Sequence, residues 1–410
     1  MKKFLFLTAA AVAVFASCAK TIDHTRNTGQ GDALSFGVYV PQTKAGAAGQ
    51  TTTTSIQRSE ANGGGFGVFA YYTDDANYSA SATPNFMYNQ GVFYNTDKWE
   101  YSPVKYWPNE YGDGAHSTAT DKVSFFAYAP YVATGATMGS YGITAFVPAN
   151  DESGDPKITY VIDPTPSTAV DLCWAVESST GLPWLNKTKQ STTGKVEFLF
   201  KHALARFNVN VRGYFDAVRS EEGAVSTDNI DSNTKITIEK IEIKGTFAPW
   251  GVLNLNNTEA NKALWNLATA AETTLTIPNA DIHSSLKATE GGEASFPSIT
   301  GVTKTNVNVF TGAAPDKTDA TYYTFIPTTT STTLNVKITY YVTTQDAKLA
   351  GGLSCVKNVI DKNITFADGF ACGLNYNLNI VLGMTTVKLE ATVSDWADPS
   401  NVDIDLPVNL

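Results

Sequence analysis

The chain has 410 residues and a formal net charge of −10, and only 17% of its residues are charged. That balance excludes a nucleic-acid partner, because phosphate binding needs a concentrated basic face and none is visible. Thr, Tyr, Val and Phe are plentiful, which suits pleated, half-buried surfaces, and the length suits two ordinary domains. Beyond Cys18 the cysteines are Cys173, Cys355 and Cys372. An odd number cannot complete a disulfide framework, so burial of a core must supply stability. Free buried thiols are expected, with a Cys355–Cys372 pair across a hairpin as the alternative.

Lys2 and Lys3 open the chain, and a mostly apolar run follows from Phe4 to Phe15. The run is too short to cross a bilayer as a helix, so residues 1–17 read as a cleaved export signal. Phe15-Ala16-Ser17-Cys18 resembles the lipobox of bacterial lipoproteins, which implies a lipid on Cys18 and anchoring to the outer membrane. Residues 18–33 form a polar tether without periodicity. Leu34-Ser35-Phe36-Gly37-Val38-Tyr39-Val40 then alternates, placing Leu34, Phe36, Val38 and Val40 on one face of a half-buried strand. From Pro41 to Gly65 the sequence is rich in Gly, Thr and Gln and has no period; such a stretch inside a compact domain signals function or disorder. Arg58 lies near its end.

Short strand-like runs bounded by Gly, Pro, Asn or Asp follow: Phe66–Tyr72, Lys122–Tyr128, Lys157–Ile162, Val196–Arg212, Lys235–Gly245, Thr273–Ile277, Tyr322–Pro327, Thr333–Val342 and Tyr376–Ser394. Only Glu259–Ala271 carries a weak helical signal. The pattern is that of an all-β protein with two successive sandwich domains, at 34–200 and 201–396. Residues 397–410 follow as a separate segment. Within it Val402, Ile404, Leu406, Val408 and Leu410 alternate without a break with polar residues or Pro.

A search for chemistry finds little. His24, His116, His202 and His283 show no metal-ligand spacing, and no CxxC, nucleophile elbow, phosphate loop or dinucleotide fingerprint is present. His202 reads as a packed strand residue. Asp151-Glu-Ser-Gly-Asp155 reads as a solvated turn rather than a calcium loop, and Asp74 and Asp75 likewise. Gly63-Gly-Gly65 lacks the helix and Lys of a phosphate cradle. Trp99, Tyr101, Tyr106, Trp107 and Tyr111 form an aromatic cluster suited either to filling a core or to stacking on a sugar. No catalytic residue, cofactor or metal site is expected.

Several segments in this order resemble the fimbrillin family of Bacteroidota, the Mfa-like group of type V pilin subunits. They are Phe66–Thr73, Trp99 with Tyr101–Pro108, Val123–Pro130, Val170–Ala175, Phe198–Phe207, Leu374–Leu382 and Val387–Trp396. The resemblance implies two tandem transthyretin-like Greek-key sandwich domains, lipoprotein export, and assembly into adhesive cell-surface fibres with other pilin subunits after an Arg-specific protease removes the first strand. It places the cut at Arg58, the only Arg between Val40 and Phe66, with Lys44 as a competing site. Departure of residues 34–40 would expose unpaired backbone beside uncovered core, and such an edge templates another strand. The 402–410 segment has the period to fill it on a neighbour, or else to close its own domain. The second functional reading is a monomeric surface lipoprotein that binds glycans through the aromatic cluster.

Overall fold

Val123–Ala129 shows how the sequence sets the layering. Val123, Phe125, Ala127 and Ala129 enter one core, while Phe126 and Tyr128 enter another. A strand apolar on both faces belongs between two layers. The computed structural model describes residues 33–40, 50–108, 121–134, 139–192, 194–213, 234–277, 283–284, 307–309, 321–382 and 387–395.

The first half contributes β1 (Ser35–Tyr39), β2 (Phe66–Tyr72), β3 (Met87–Asn95), β4 (Lys98–Glu100), β5 (Val123–Ala129), β6 (Gly142–Val147), β7 (Lys157–Val161), β8 (Cys173–Val176), β9 (Trp184–Lys187) and β10 (Lys195–His202). The second contributes β11 (Ala205–Gly213), β12 (Thr234–Phe247), β13 (Trp250–Asn254), β14 (Leu264–Leu267), β15 (Ala271–Ile277), β16 (His283–Ser284), β17 (Val307–Val309), β18 (Tyr323–Phe325), β19 (Thr332–Gln345), β20 (Leu353–Phe366), β21 (Leu374–Leu382) and β22 (Val387–Asp395). Among the described residues the protein is all-β apart from short helical turns.

One large sheet runs β1-β10-β8-β5-β2-β3-β4, with β9 beside β5. It faces a smaller sheet, β14-β13-β7-β6, across a core of Phe69, Tyr71, Phe126, Tyr160 and Trp174. Here β13, from the second half, ladders onto β7 from the first, Trp250 opposite Val161 and Asn254 opposite Lys157. In the remaining part, β16-β11-β21-β22 stacks on β15-β12-β19-β20. Val209, Val211, Leu378 and Ile380 there meet Ile241, Ile243, Val336 and Ile338.

Four expectations are corrected. Glu259–Ala271 is not helical: Leu264–Leu267 pairs with β13, and Ala271 begins β15. Its spacing of apolar residues was that of a turn followed by a strand. The stretch before Gly65 is not structureless, since it holds α1 (Thr53–Ile56) and a 3-10 turn at Glu60–Asn62. Of the three described thiols, all free, Cys173 is buried, Cys372 is partly buried, and Cys355 is exposed, because β20 lies at a sheet edge. The run Val196–Arg212 is two strands in different sheets, separated at Ala203–Leu204.

Candidate functional site: the seat of the first strand

β1 lies at the edge of the large sheet and pairs in parallel with β10, from Ser35 opposite Lys195 to Tyr39 opposite Leu199. Its alternation places Leu34, Phe36 and Val40 inside, at 3%, 4% and 0% exposure, and leaves Val38 half-buried. The far side of the strand is met by the segment after β4, so that the sheet rolls around its own core. Leu34 N–H donates to the Lys105 carbonyl (2.9 Å), Tyr101 O–H donates to the Leu34 carbonyl (2.8 Å), and Ala33 bridges Tyr106.

The seat is aromatic. The Phe36 ring stacks on Phe198 at 5.7 Å and meets Tyr101, Phe66 and Phe125 edge-on at 5.4, 6.1 and 6.3 Å. Behind these, Trp99 packs on Phe66 and Trp107 on Phe125. Edge-on and offset rings add attraction beyond the area they bury. Trp99, Tyr101 and Trp107 thus wall the seat, whereas Tyr106 is 60% exposed and Tyr111 lies outside the described residues. Burial pushes the Tyr101 hydroxyl up to about 12, with its hydrogen bond to Lys105 working the other way.

Beyond Val40, the chain is tied back to the strand it has left. Thr53 Oγ1 accepts from the Val40 N–H (3.2 Å) and donates to the Val40 carbonyl (3.0 Å). Thr52 caps α1 with a reciprocal box: its Oγ1 accepts from Ser55 N–H, and Ser55 Oγ accepts from Thr52 N–H. Ile56 is buried, and then Gln57–Gly63 is continuously exposed, with Arg58 between the two helical turns. Gly64 must remain glycine: a Cβ there would sit 1.8 Å from the Arg58 carbonyl oxygen. Cys18, Lys44 and the alternating segment with Val402, Ile404, Leu406, Val408 and Leu410 lie outside the described residues.

One polar cluster borders the seat. Asp171 Oδ2 accepts from His202 Nδ1–H and from Thr51 N–H, both at 2.8 Å, and Cys173 Sγ lies 3.5 Å from the same His202 nitrogen. All four residues are buried. The His, Cys and carboxylate ligating atoms come within 4.8 Å of one another. A relay would need the thiol and the carboxylate on opposite ring nitrogens. Here both face Nδ1, and burial, with Asp171 nearby, drives the Cys173 thiol well above its ordinary range. The nearest carboxylate oxygen already takes two hydrogen bonds. The arrangement is that of a hydrogen-bonded core cluster.

Elsewhere, Asp155 accepts from Tyr78 O–H and from the amides of Asn254 and Asn256, so it pins β13 to the first half. Asp74 and Asp75 anchor Lys122 through their carbonyls. The sequence reading missed Thr51, Thr53 and Asp171. The Thr-x-x-Ser spacing at Thr52 was a local cue for α1, but no local pattern ties Thr51 to a residue 120 positions away.

The profile of the fimbrillin-like family matches residues 51–396. Over 417 aligned residues the chain is 26% identical to the fimbrium subunit Fim1C of Phocaeicola vulgatus, covering 97% of each. Among solved structures, a fimbrial protein from Bacteroides vulgatus superposes with a TM-score of 0.60 at 22% identity, over 89% of this chain and 99% of that one; the likeness is one of fold.

Proposed function

The chain belongs to the fimbrillin-like family of fimbrial subunits, and we propose that it polymerises by exchanging β1 for a strand from a neighbouring subunit. On this reading it is exported as a lipoprotein through Cys18 and held at the outer membrane. An Arg-specific protease then cuts after Arg58, and β1 departs. The segment with Val402, Ile404, Leu406, Val408 and Leu410 enters the vacated seat of the next subunit, giving a cell-surface fibre that serves adhesion. The chain works as two bodies, 34–200 and 201–396, the second lending Trp250–Leu267 to the outer sheet of the first.

The observation that carries the reading is the seat itself. β1 is a terminal edge strand whose apolar face inserts Leu34, Phe36 and Val40, and the exposed Arg58 lies behind it. Each buried side chain contributes about 1.5–3 kcal/mol, so an empty seat would forfeit roughly 5–9 kcal/mol from Leu34, Phe36 and Val40 before ordering costs. A second strand of the same period regains that energy. Because the two surfaces involved differ, the contact does not close on itself and builds a filament.

Deleting residues 402–410 tests the reading. The truncated chain is expected to fold and to be cut, yet to stay monomeric by gel filtration; fibres of normal length from it would reject the donor role. Trp99, Tyr101 and Trp107 wall the seat, which leaves a glycan platform without most of its residues.

A further inference from the structure

The segment behind β1 is held at a second place, chemically unlike the first. Gln50 and Thr51 are buried, at 8% and 4% exposure. Thr51 N–H donates to Asp171 Oδ2 (2.8 Å), and Thr51 Oγ1–H donates to the Asp171 backbone carbonyl (2.5 Å). Asp171 precedes β8, and His202, which also donates to it, ends β10, the strand that carries β1. Opposite His202 in the ladder stands Cys173, with no exposed surface. A buried carboxylate is tolerated only while donors surround it, and Thr51 supplies one to the carboxylate and another to the adjoining carbonyl. Both Thr51 contacts join the chain before Arg58 to the chain after it, and neither involves Arg58 itself. A cut there leaves all of them in place.

We propose that Asp171, with His202 and Cys173 behind it, forms a polar subsite that binds Thr51 and keeps the β1 segment seated after the chain is cut. Its ligand class is a chain segment offering a backbone N–H and a side-chain hydroxyl together, as Thr or Ser does. The inference rests on the proposed cut and release. It divides processing into two steps: hydrolysis behind Arg58, then joint lifting of β1 from its apolar seat and of Thr51 from the polar subsite. The Cys173 thiol, which Thr51 contacts, loses that cover when Thr51 lifts.

The uncut full chain tests the subsite without any protease. N-ethylmaleimide labelling is followed peptide by peptide by mass spectrometry, with the exposed Cys355 as internal reference. Thr51→Val is expected to label at Cys173 about tenfold faster than wild type, and Thr51→Ser at nearly the wild-type rate, with Cys355 unchanged in all three. Equal Cys173 rates in the Val and Ser variants would overturn the subsite. In a second arm, the chain is cut with an Arg-specific protease and passed over a sizing column. The fragment ending at Arg58 is expected to co-elute with the wild type and the Ser variant, and to leave the Val variant about tenfold faster. A chain that resists cutting at Arg58 contradicts the processing scheme, and the labelling arm still decides the subsite. Prompt release at one rate from all three contradicts the subsite alone.

Discussion

β1 and β20 are both edge strands, and they are held by opposite means. β1 pairs with β10 over five residues but inserts Leu34, Phe36 and Val40 almost completely. β20 pairs with β19 over fourteen residues, yet its Val356 and Val359 are more than half exposed. Backbone bonds hold most of β20, which buries Ile364 and Phe366 only at its end, and residues 346–352 join it directly to its partner. Side chains hold β1, and its partner lies 160 positions along the chain, at Ser35 opposite Lys195. Cutting one loop makes β1 a separate molecule, whereas the β19–β20 hairpin stays covalently whole. An edge seated by side chains can be replaced by any strand that offers the same face; an edge seated by its own hairpin cannot. β20 also presents Lys357 and Lys362, charges that discourage edge-to-edge pairing.

The largest expected effect separates the two edges by truncation. Phe36→Ala should cost about 3–5 kcal/mol, as a large core ring does, while Val359→Ala should stay within about 0.5 kcal/mol. Urea denaturation of the two variants measures the contrast, and equal losses would erase it. Next comes Thr53→Ala, which frees both backbone groups of Val40 and should cost about 1–2 kcal/mol by the same assay.

Alkaline pH should act on the β1 seat. Burial holds the Tyr101 proton up to about 12 in the folded chain, against about 10 when unfolded. The folded state therefore keeps a proton that the unfolded state loses, so this contribution is complete below pH 10 and falls away from there to pH 12. Burial raises Tyr71, Tyr78 and Tyr160 in the same body as well. Denaturation midpoints should fall between pH 9 and pH 11, and Tyr101→Phe, costing about 1 kcal/mol at pH 7, should reduce that fall. The smallest effect belongs to β20. Lys357 pairs with Glu239 at 2.9 Å across exposed surface, so Lys357→Ala should leave the denaturation midpoint nearly unchanged.

The contrast also explains what was legible in the sequence. β1, β2 and β5 were readable because their side chains alternate between a core and another environment, and burial writes itself into the residue types. β20 was missed: Lys357, Asn358, Asp361, Lys362 and Asn363 are set by exposure at an edge, and the ladder that makes the strand leaves no mark on side-chain chemistry. Glu259–Ala271 misled because Leu264 and Leu267, spaced as on a helix, belong to a short strand recruited by β13. In the site, the face of β1 that carries Leu34, Phe36 and Val40 was legible from its alternation, whereas the rings around Phe36 come from segments far apart in sequence. The Thr51–Asp171 contact was not legible either, since it depends on two segments far apart in sequence meeting at the end of β10.

On the proposed function, β1 is an exchangeable occupant of its seat. The direct measurement is native mass spectrometry of the purified chain, cut after Arg58 and incubated with a synthetic peptide of residues 402–410. The account predicts that the fragment carrying Leu34–Val40 is lost and one peptide is gained per chain, with the large fragment still folded. A cut chain that keeps its own fragment indefinitely and never takes up the peptide would contradict it.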